Sequence, residues 1–279
     1  MTDRYAVIGN PISHTKSPLI HAAFARQCGQ DISYEALLAP LDGFRETVMA
    51  FRNAGGRGMN LTVPFKIEAM ALSDKLTPRA QLAQAVNTLI FDETGITGDN
   101  TDGIGLVRDI QRLGFDFTSK RILILGAGGA TRGVILPILE EKPANLTIAN
   151  RTFAKAEALK SQFAAIATII ATTYESLSGQ QFDIVINATS TGLHGEHLPL
   201  PEQLFAPGAL AYDMAYGKEE TPFQIDARKL GATQTADGLG MLVGQAAESF
   251  HLWRGVRPEI APVFSALQSD VLTQAPPSA

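Results

Sequence analysis

The stretch Arg121-Ile-Leu-Ile-Leu-Gly-Ala-Gly-Gly-Ala-Thr-Arg-Gly133 runs from an apolar segment, Ile122 to Leu125, into Gly126, Gly128, Gly129 and Gly133. Such a run reads as a buried parallel strand, and the glycines let the chain turn sharply into a helix whose N-terminus faces outward. Free N–H groups and the positive end of the helix dipole favour a phosphate there. The spacing is G-x-G-G-A-x-x-G, with Thr131 at the third glycine position of the usual fingerprint. The next apolar run, residues 146–149, ends at Asn150-Arg151-Thr152. NAD enzymes place an Asp or Glu against the ribose hydroxyls at this point, about 20 residues beyond the glycines. A carboxylate repels a 2′-phosphate, whereas a guanidinium grips it through two parallel hydrogen bonds. The pattern therefore predicts NADP(H) rather than NAD(H). Taken singly, the glycines also suit a plain tight turn, and Arg151 a solvated arginine at a helix start. Their order and spacing together carry the dinucleotide reading.

A second group of polar residues lies at the ends of apolar runs in the first half of the chain. Gly9-Asn-Pro-Ile-Ser-His-Thr-Lys-Ser-Pro18 follows one such run and precedes a helical pattern. Pro18 suits the first helical turn with Ser17 as N-cap, leaving Thr15 to point into a cleft. In Asn60-Leu-Thr-Val-Pro-Phe-Lys66 the alternation puts Asn60 and Thr62 on one face of a strand. Lys66 lies just beyond, at the start of a short helix, where a solvated lysine is equally ordinary. Asn87 stands at the start of another strand. Gly98-Asp-Asn-Thr-Asp-Gly103 is turn-rich, and its Asp102 is placed to cap the helix behind it.

Apolar runs alternate with helical patterns nearly throughout, and these elements must position the groups above. Strands are expected at residues 5–9, 32–38 and 58–63, with helices at 17–29, 41–54 and 65–72. Short strands at 88–91 and 96–99 flank Glu93-Thr-Gly95 as a hairpin. Helical spacing at 103–113 carries the chain into a second series: strands 122–125, 146–149, 166–171, 183–187 and 209–214, with helices 130–140 and 153–163. Alternating strands and helices predict an α/β fold with parallel sheets and right-handed crossovers. A nucleotide domain accounts for only part of the chain, so the first part must form another α/β domain. The expected division is 1–102 plus 240–279 for a substrate-binding domain and 103–239 for a Rossmann-type NADP-binding domain. The active site is expected in the cleft between them.

At this point the chain closely resembles the shikimate dehydrogenase family. The matching segments are NPISHTKSP (10–18), NLTVPFK (60–66), AVNT (85–88), GDNTDG (98–103), GAGGATRG (126–133), NRT (150–152), NATSTG (187–192), YDMAYGKEETPF (212–223) and DGLGMLVGQAAESF (237–250). They follow the family's order and span nearly the whole chain. Two departures occur: Thr15 stands where serine is more usual, and Gln84 where a glycine usually precedes AVNT.

The resemblance implies reversible, NADPH-linked reduction of 3-dehydroshikimate to shikimate on the route to chorismate and the aromatic amino acids. It also implies a catalytic pair, Lys66 and Asp102. Hydride delivery to a ketone creates an alkoxide, which needs a cation or proton donor aimed at the oxygen. Lys66 would supply that proton, and Asp102 would hold the ammonium and bond a substrate hydroxyl. Zinc is the other common solution, but one cysteine and scattered histidines do not supply its usual ligands. His194-Gly-Glu-His197 is the one local metal-like cluster in the sequence, and it reads as a flexible loop; no metal site is expected.

By the same resemblance Thr15 and Ser17 bind the substrate carboxylate, helped by Tyr216. Asn60, Thr62, Asn87, Asp102 and Gln245 read the hydroxyls. Gly126, Ala127, Gly128, Gly129 and Ala130 hold the pyrophosphate. Asn150, Arg151, Thr152 and Lys155 surround the 2′-phosphate, and Thr189, Met214, Gly238 and Met241 border the nicotinamide half. Core tyrosines, strand threonines and core-filling methionines are ordinary, so Tyr216, Thr62, Met214 and Met241 each have a structural reading too.

Composition sets the limits. The chain has 279 residues, 45% of them hydrophobic and 18% charged, as expected of a globular protein with sizeable cores. Its net charge of −5 gives no general electrostatic support to a nucleic-acid partner. A single cysteine, Cys28, excludes an internal disulfide and fits a reducing compartment. No apolar run approaches the roughly 18 residues needed to span a membrane, and no basic-then-apolar leader precedes the first strand. The expectation is a cytoplasmic monomer or homodimer with a small-molecule substrate and a frayed tail at 274–279. Two alternatives remain: a quinate/shikimate paralogue using NAD or both cofactors, which the basic Asn-Arg-Thr segment argues against, and a non-catalytic NADP-sensing regulator.

Overall fold

The computed structural model describes residues 2–189, 191, 196–217 and 219–269. His194 of the histidine pair and the expected frayed tail lie outside the described residues. In chain order the elements are β1 (Asp3–Gly9), α1 (Ser17–Cys28), β2 (Ile32–Leu38), α2 (Phe44–Asn53), β3 (Gly56–Leu61), α3 (Lys66–Leu72), β4 (Lys75–Leu76), α4 (Pro78–Ala83), β5 (Thr88–Asp92), β6 (Gly95–Asp99) and α5 (Asp102–Arg112). There follow β7 (Arg121–Leu125), α6 (Gly129–Glu140), β8 (Asn145–Ala149), α7 (Phe153–Phe163), β9 (Ile169–Thr172), β10 (Phe182–Asn187), β11 (Phe205–Asp213), α8 (Pro222–Lys229) and β12 (Gln234–Ala236). The chain closes with α9 (Leu239–Arg254) and α10 (Ile260–Gln268). Two compact units result: the described residues of Met1–Gly105 with Leu242–Ala279, and Leu106–Met241.

In the first unit the strands lie in the order β2-β1-β3-β5-β6-β4. β1 runs parallel to β2 and β3, whereas β5 pairs antiparallel with both β3 and β6. The hairpin at Gly95, whose φ of +130° lies outside the range of most side chains, sets β6 antiparallel to β5, and β5 in turn lies beside β3. The reversal has a consequence for function: the start of β5 lies at the same sheet edge as the ends of β3 and β6, with Asn60 paired to Thr88 and Thr88 to Asp99. One core collects Ile8, Phe44, Val48, Met59, Leu61, Phe65 and Leu89. α2 joins it through Phe44, Val48 and Phe51, spaced as one helical face.

Several expectations shift in detail. Lys16, not Ser17, occupies the N-cap position of α1; Ser17 begins the helix, and its N–H donates to Thr15 Oγ1 at 3.3 Å. Thr15, two residues back, therefore takes over the first amide of the helix with its hydroxyl. Asp102 likewise does not cap α5. Its own N–H donates to Asn100 Oδ1 at 3.1 Å, an Asx turn that leaves the Asp102 carboxylate for other partners. Gln84 sits at φ +50°, ψ +34° as the left-handed C-cap of α4. That conformation explains why glycine is usual there, since a Cβ in it costs roughly 1–2 kcal/mol.

The second unit is a parallel sheet in the order β12-β11-β10-β7-β8-β9. Its central strand is buried on both faces: Ile122, Leu123, Ile124 and Leu125 are all fully inaccessible. The strand order reverses between β7 and β10, and ligands of such sheets bind outside the carboxyl ends at that switch. No helix among the described residues is long and apolar enough to cross a membrane.

Candidate active site and cofactor cradle

Thr15, Ser17, Asn60, Thr62, Lys66, Asn87, Asp102 and Gln245 all belong to the first unit. Lys66 is the first residue of α3, held there from both sides. Phe65 is fully buried and stacks on Phe44 with ring centroids 4.9 Å apart, and the Lys66 carbonyl accepts the Val86 N–H at 2.8 Å. Its ammonium reaches forward: Nζ lies 2.6 Å from Asp102 Oδ2, with both side chains partly exposed. The other carboxylate oxygen, Oδ1, accepts from Asn87 Nδ2 at 2.8 Å. A lysine, a carboxylate and an amide thus share one hydrogen-bonded row at the sheet edge.

The amides around this pair are already engaged. Asn60 Nδ2 faces the Asn87 carbonyl, Thr88 Oγ1 and Ser249 Oγ at 3.2, 3.1 and 2.9 Å, while its Oδ1 accepts from the Tyr34 hydroxyl at 2.7 Å. Burial pushes the Tyr34 phenol well above its ordinary range, so it remains a donor. Asn87 Oδ1 accepts from the Thr101 N–H at 2.9 Å and from the Thr88 and Thr101 hydroxyls. Asn60 therefore has only a spare lone pair to offer a ligand. Thr62, half-buried, makes no side-chain hydrogen bond to the described residues, so its hydroxyl is available. Gln245 Nε2 donates to the Leu242 carbonyl at 3.0 Å, which turns Oε1 towards Asn87 and Thr101. Thr15 Oγ1 donates to Ser17 Oγ at 3.1 Å.

Sequence reasoning missed Tyr34, Thr88, Thr101 and Ser249, which orient these amides. A signal existed for Ser249, four residues beyond Gln245 on the same helix and hence on the same face. None existed for Tyr34, whose partner lies on another strand.

The remaining candidates belong to the second unit. Tyr216 is there too, 41% exposed after β11. Gly126 has φ +103°, and a Cβ on it would sit 2.9 Å from Thr189 Cγ2. A Cβ on Gly128 or Gly129 would meet nothing within 4 Å, which leaves open space in front of the α6 N-terminus. The first amides of a helix have no intrahelical acceptor, and the first turn of α6 holds no acidic residue. Thr131 fills the third glycine position by donating its buried hydroxyl to the Gly126 carbonyl at 2.9 Å. Asn150 is a brace: Oδ1 accepts the Ala127 N–H at 3.1 Å and Nδ2 donates to the Thr152 carbonyl at 2.9 Å. Ala127 therefore has no free amide, and the open donors begin at Gly128. Beyond Asn150, Arg151, Thr152 and Lys155 are exposed. Neither cation has an ion-pair partner among the described residues, and the first turn of α7 holds no acid. Two unneutralised cations at a positive helix end form an unfavourable arrangement that an anion relieves. The cradle therefore fits a dinucleotide carrying a 2′-phosphate.

Thr189 donates to Asn187 Oδ1 at 2.7 Å, Asn187 Nδ2 to Asp213 Oδ1 at 3.1 Å, and Thr221 Oγ1 to Asp213 Oδ2 at 2.6 Å. Burial raises the Asp213 carboxyl above its usual range. This chain ties the ends of β10 and β11, after which Thr189 and Met214 stand. Gly238 admits no side chain, since a Cβ would lie 2.2 Å from the Met214 carbonyl oxygen, and Met241 is buried. His197 pairs with Asp226.

Comparison with known proteins gives three matches in chain order: the shikimate dehydrogenase substrate binding domain at residues 7–89, shikimate / quinate 5-dehydrogenase at 108–194, and the shikimate 5'-dehydrogenase C-terminal domain at 238–268. A shikimate dehydrogenase (NADP(+)) of Nitrosospira multiformis is 60% identical over 97% of this chain and 99% of its own. Among solved structures, an Ael1 enzyme from Pseudomonas putida is 51% identical, with a TM-score of 0.91 over 95% of this chain and 98% of that one. A shikimate 5-dehydrogenase from Thermus thermophilus, solved with NADP(H) and shikimate, is 34% identical, with a TM-score of 0.85 over 96% and 99% of the two chains.

Proposed function

The chain belongs to the shikimate dehydrogenase family, and from that premise we propose that it catalyses the reversible, NADPH-linked reduction of 3-dehydroshikimate to shikimate. The observation that carries the reading is the 2.6 Å contact between Lys66 Nζ and Asp102 Oδ2 among small neutral donors. Bound NADPH supplies the hydride. Lys66 gives its proton to the carbonyl oxygen as negative charge develops there, and takes a proton back in the oxidation direction. Asp102 keeps the ammonium aimed and accepts from a substrate hydroxyl. Thr62, Gln245 and the spare lone pair of Asn60 read the other hydroxyls with Asn87. Thr15 and Ser17 bind the carboxylate, with Tyr216 assisting.

The cofactor is NADP(H). The amides of Gly128, Gly129 and Ala130 hold its pyrophosphate, with Gly126 and Ala127 shaping the turn. Arg151 and Thr152, on a loop that Asn150 braces, and Lys155, in the first turn of α7, receive the 2′-phosphate. Thr189, Met214, Gly238 and Met241 border the nicotinamide. The setting is the cytoplasm, which one unpaired cysteine suits.

The test follows reduced nicotinamide by its ultraviolet absorbance, with shikimate or quinate and with NADP+ or NAD+. The proposal expects the highest kcat/KM with shikimate and NADP+. A preference for quinate or NAD+ would move the assignment to the quinate-using branch. No shikimate-dependent reduction at all would leave a nucleotide-sensing protein.

A further inference from the structure

Arg79 and Asp99 have no part in the chemistry above, yet they form a forked ionic contact in which both carboxylate oxygens are bonded. Asp99 is 1% exposed and closes β6. Arg79 grips it with a fork, Nε to Oδ1 at 2.6 Å and Nη2 to Oδ2 at 2.6 Å. Oδ1 also accepts from the Thr77 hydroxyl at 2.6 Å and from the Asn100 N–H at 2.7 Å. On its far side Arg79 lies 3.4 Å from Glu248 Oε1, and Glu248 Oε2 is held by Arg257 at 2.6 Å. Glu248 thereby links the two guanidiniums.

Asp102 is three residues beyond Asp99, and the loop between them is tied at every residue. The Asp99 carbonyl accepts the Asn87 N–H at 3.0 Å. Asn100 donates to the Ala85 carbonyl at 3.1 Å and accepts the Asp102 N–H. The Thr101 N–H donates to Asn87 Oδ1 at 2.9 Å. Arg79 stands on α4, which leads through Gln84 directly to Asn87. The fork therefore clamps the segment that carries Asn87 to the loop that carries Asp102, whose two carboxylate oxygens meet Asn87 and Lys66.

We infer that Arg79 is a positioning residue: by clamping Asp99 it holds the 99–102 loop where the Asp102 carboxylate can orient the Lys66 ammonium. The inference rests on the roles given above to Lys66 and Asp102. Without the guanidinium, Asp99 is a buried carboxylate lacking its counter-charge, and the loop must move to hydrate it. A lysine keeps the charge but cannot reproduce the fork and reach Glu248 as well.

The test uses the full chain carrying Arg79→Ala or Arg79→Lys, each alone and combined with Lys66→Ala. For Arg79→Ala the expected result is a kcat lower by on the order of a hundredfold, the loss that ångström-scale misplacement produces. KM for NADP+ should stay unchanged, and Arg79→Lys should recover part of the loss. In the Lys66→Ala background the effect of Arg79→Ala on kcat should vanish, because there is no ammonium left to aim. Unchanged kcat in both single variants, or losses that simply add to that of Lys66→Ala, overturns the inference. Should Arg79→Ala fail to fold, Arg79→Lys alone and in the Lys66→Ala background decides by the same criteria. Normal turnover in Lys66→Ala itself would instead sink the functional reading on which this rests.

Discussion

In the proposed mechanism Lys66 acts at a carbonyl oxygen: its buried neighbour Phe65 fixes where the side chain starts, and Asp102 holds the ammonium at its end. Removing it should lower kcat about a hundred- to ten-thousandfold, the usual span for general acid catalysis. Near-normal kcat for Lys66→Ala in the shikimate assay would remove it from the mechanism. At the other ligand, Arg151 carries a charge that no described acidic residue neutralises. Arg151→Ala should raise KM for NADP+ by about tenfold or more, the scale of a lost charge-assisted hydrogen bond, while KM for NAD+ changes little. Equal losses with the two cofactors would contradict a phosphate clamp. Residue types at this scale were legible because each does a local job beside a turn: glycines before a helix, a cation after a strand. The division of labour between neighbours was not. Thr15 and Ser17 exchange the expected capping role, and Asn150, expected beside the phosphate, spends both ends of its amide on backbone.

The secondary-structure elements place these residues through pairings that periodicity only partly encodes. The hairpin of β5 and β6 was visible in its turn residues. That β5 would then run antiparallel to β3, bringing Asn87 to the edge where β3 and β6 end, depended on which strands became neighbours. The docking of α9 on this sheet gives a direct test. Trp253, the one tryptophan in the chain, stacks on Tyr5 at 4.6 Å and donates from Nε1 to the Leu89 carbonyl at 3.0 Å. It fits because residue 58 has no side chain: a Cβ on Gly58 would lie 2.3 Å from Trp253 Nε1 and 2.8 Å from the Leu89 oxygen. Gly58→Ala should therefore destabilise the first unit by roughly 1–3 kcal/mol, the range for overpacking a filled site. Urea unfolding followed by Trp253 emission measures this, and an unchanged midpoint would refute the packing argument. In sequence, Gly58 reads as an ordinary strand glycine, because its partner is nearly two hundred residues away.

At the scale of the whole molecule, the buried histidine of the first unit sets an acid limit to stability. His21 stacks on Tyr34 at 4.1 Å beside Phe24 and Trp253, and burial pushes its imidazole down to about 3. In the unfolded chain it titrates near 6.5, so between these values the unfolded state binds one proton more than the folded state. Its contribution is then complete above about pH 6.5 and is lost as pH falls towards 3, by up to about 1.4 kcal/mol per unit. Urea midpoints at neutral and mildly acid pH should diverge, and His21→Phe should make that divergence smaller. An identical pH dependence in the variant would exclude His21 as its source. By itself the sequence determined the α/β class, the dinucleotide cradle and the chemistry that a lysine, a carboxylate and small polar groups can perform, because periodicity, turn residues and short motifs act over neighbouring positions. Only the tertiary structure decided which polar groups remain available to a ligand. Asn60 is bonded to Ser249, 189 residues away in sequence, and hydrogen bonds between such distant partners depend on how strands and helices pack, which no local pattern records.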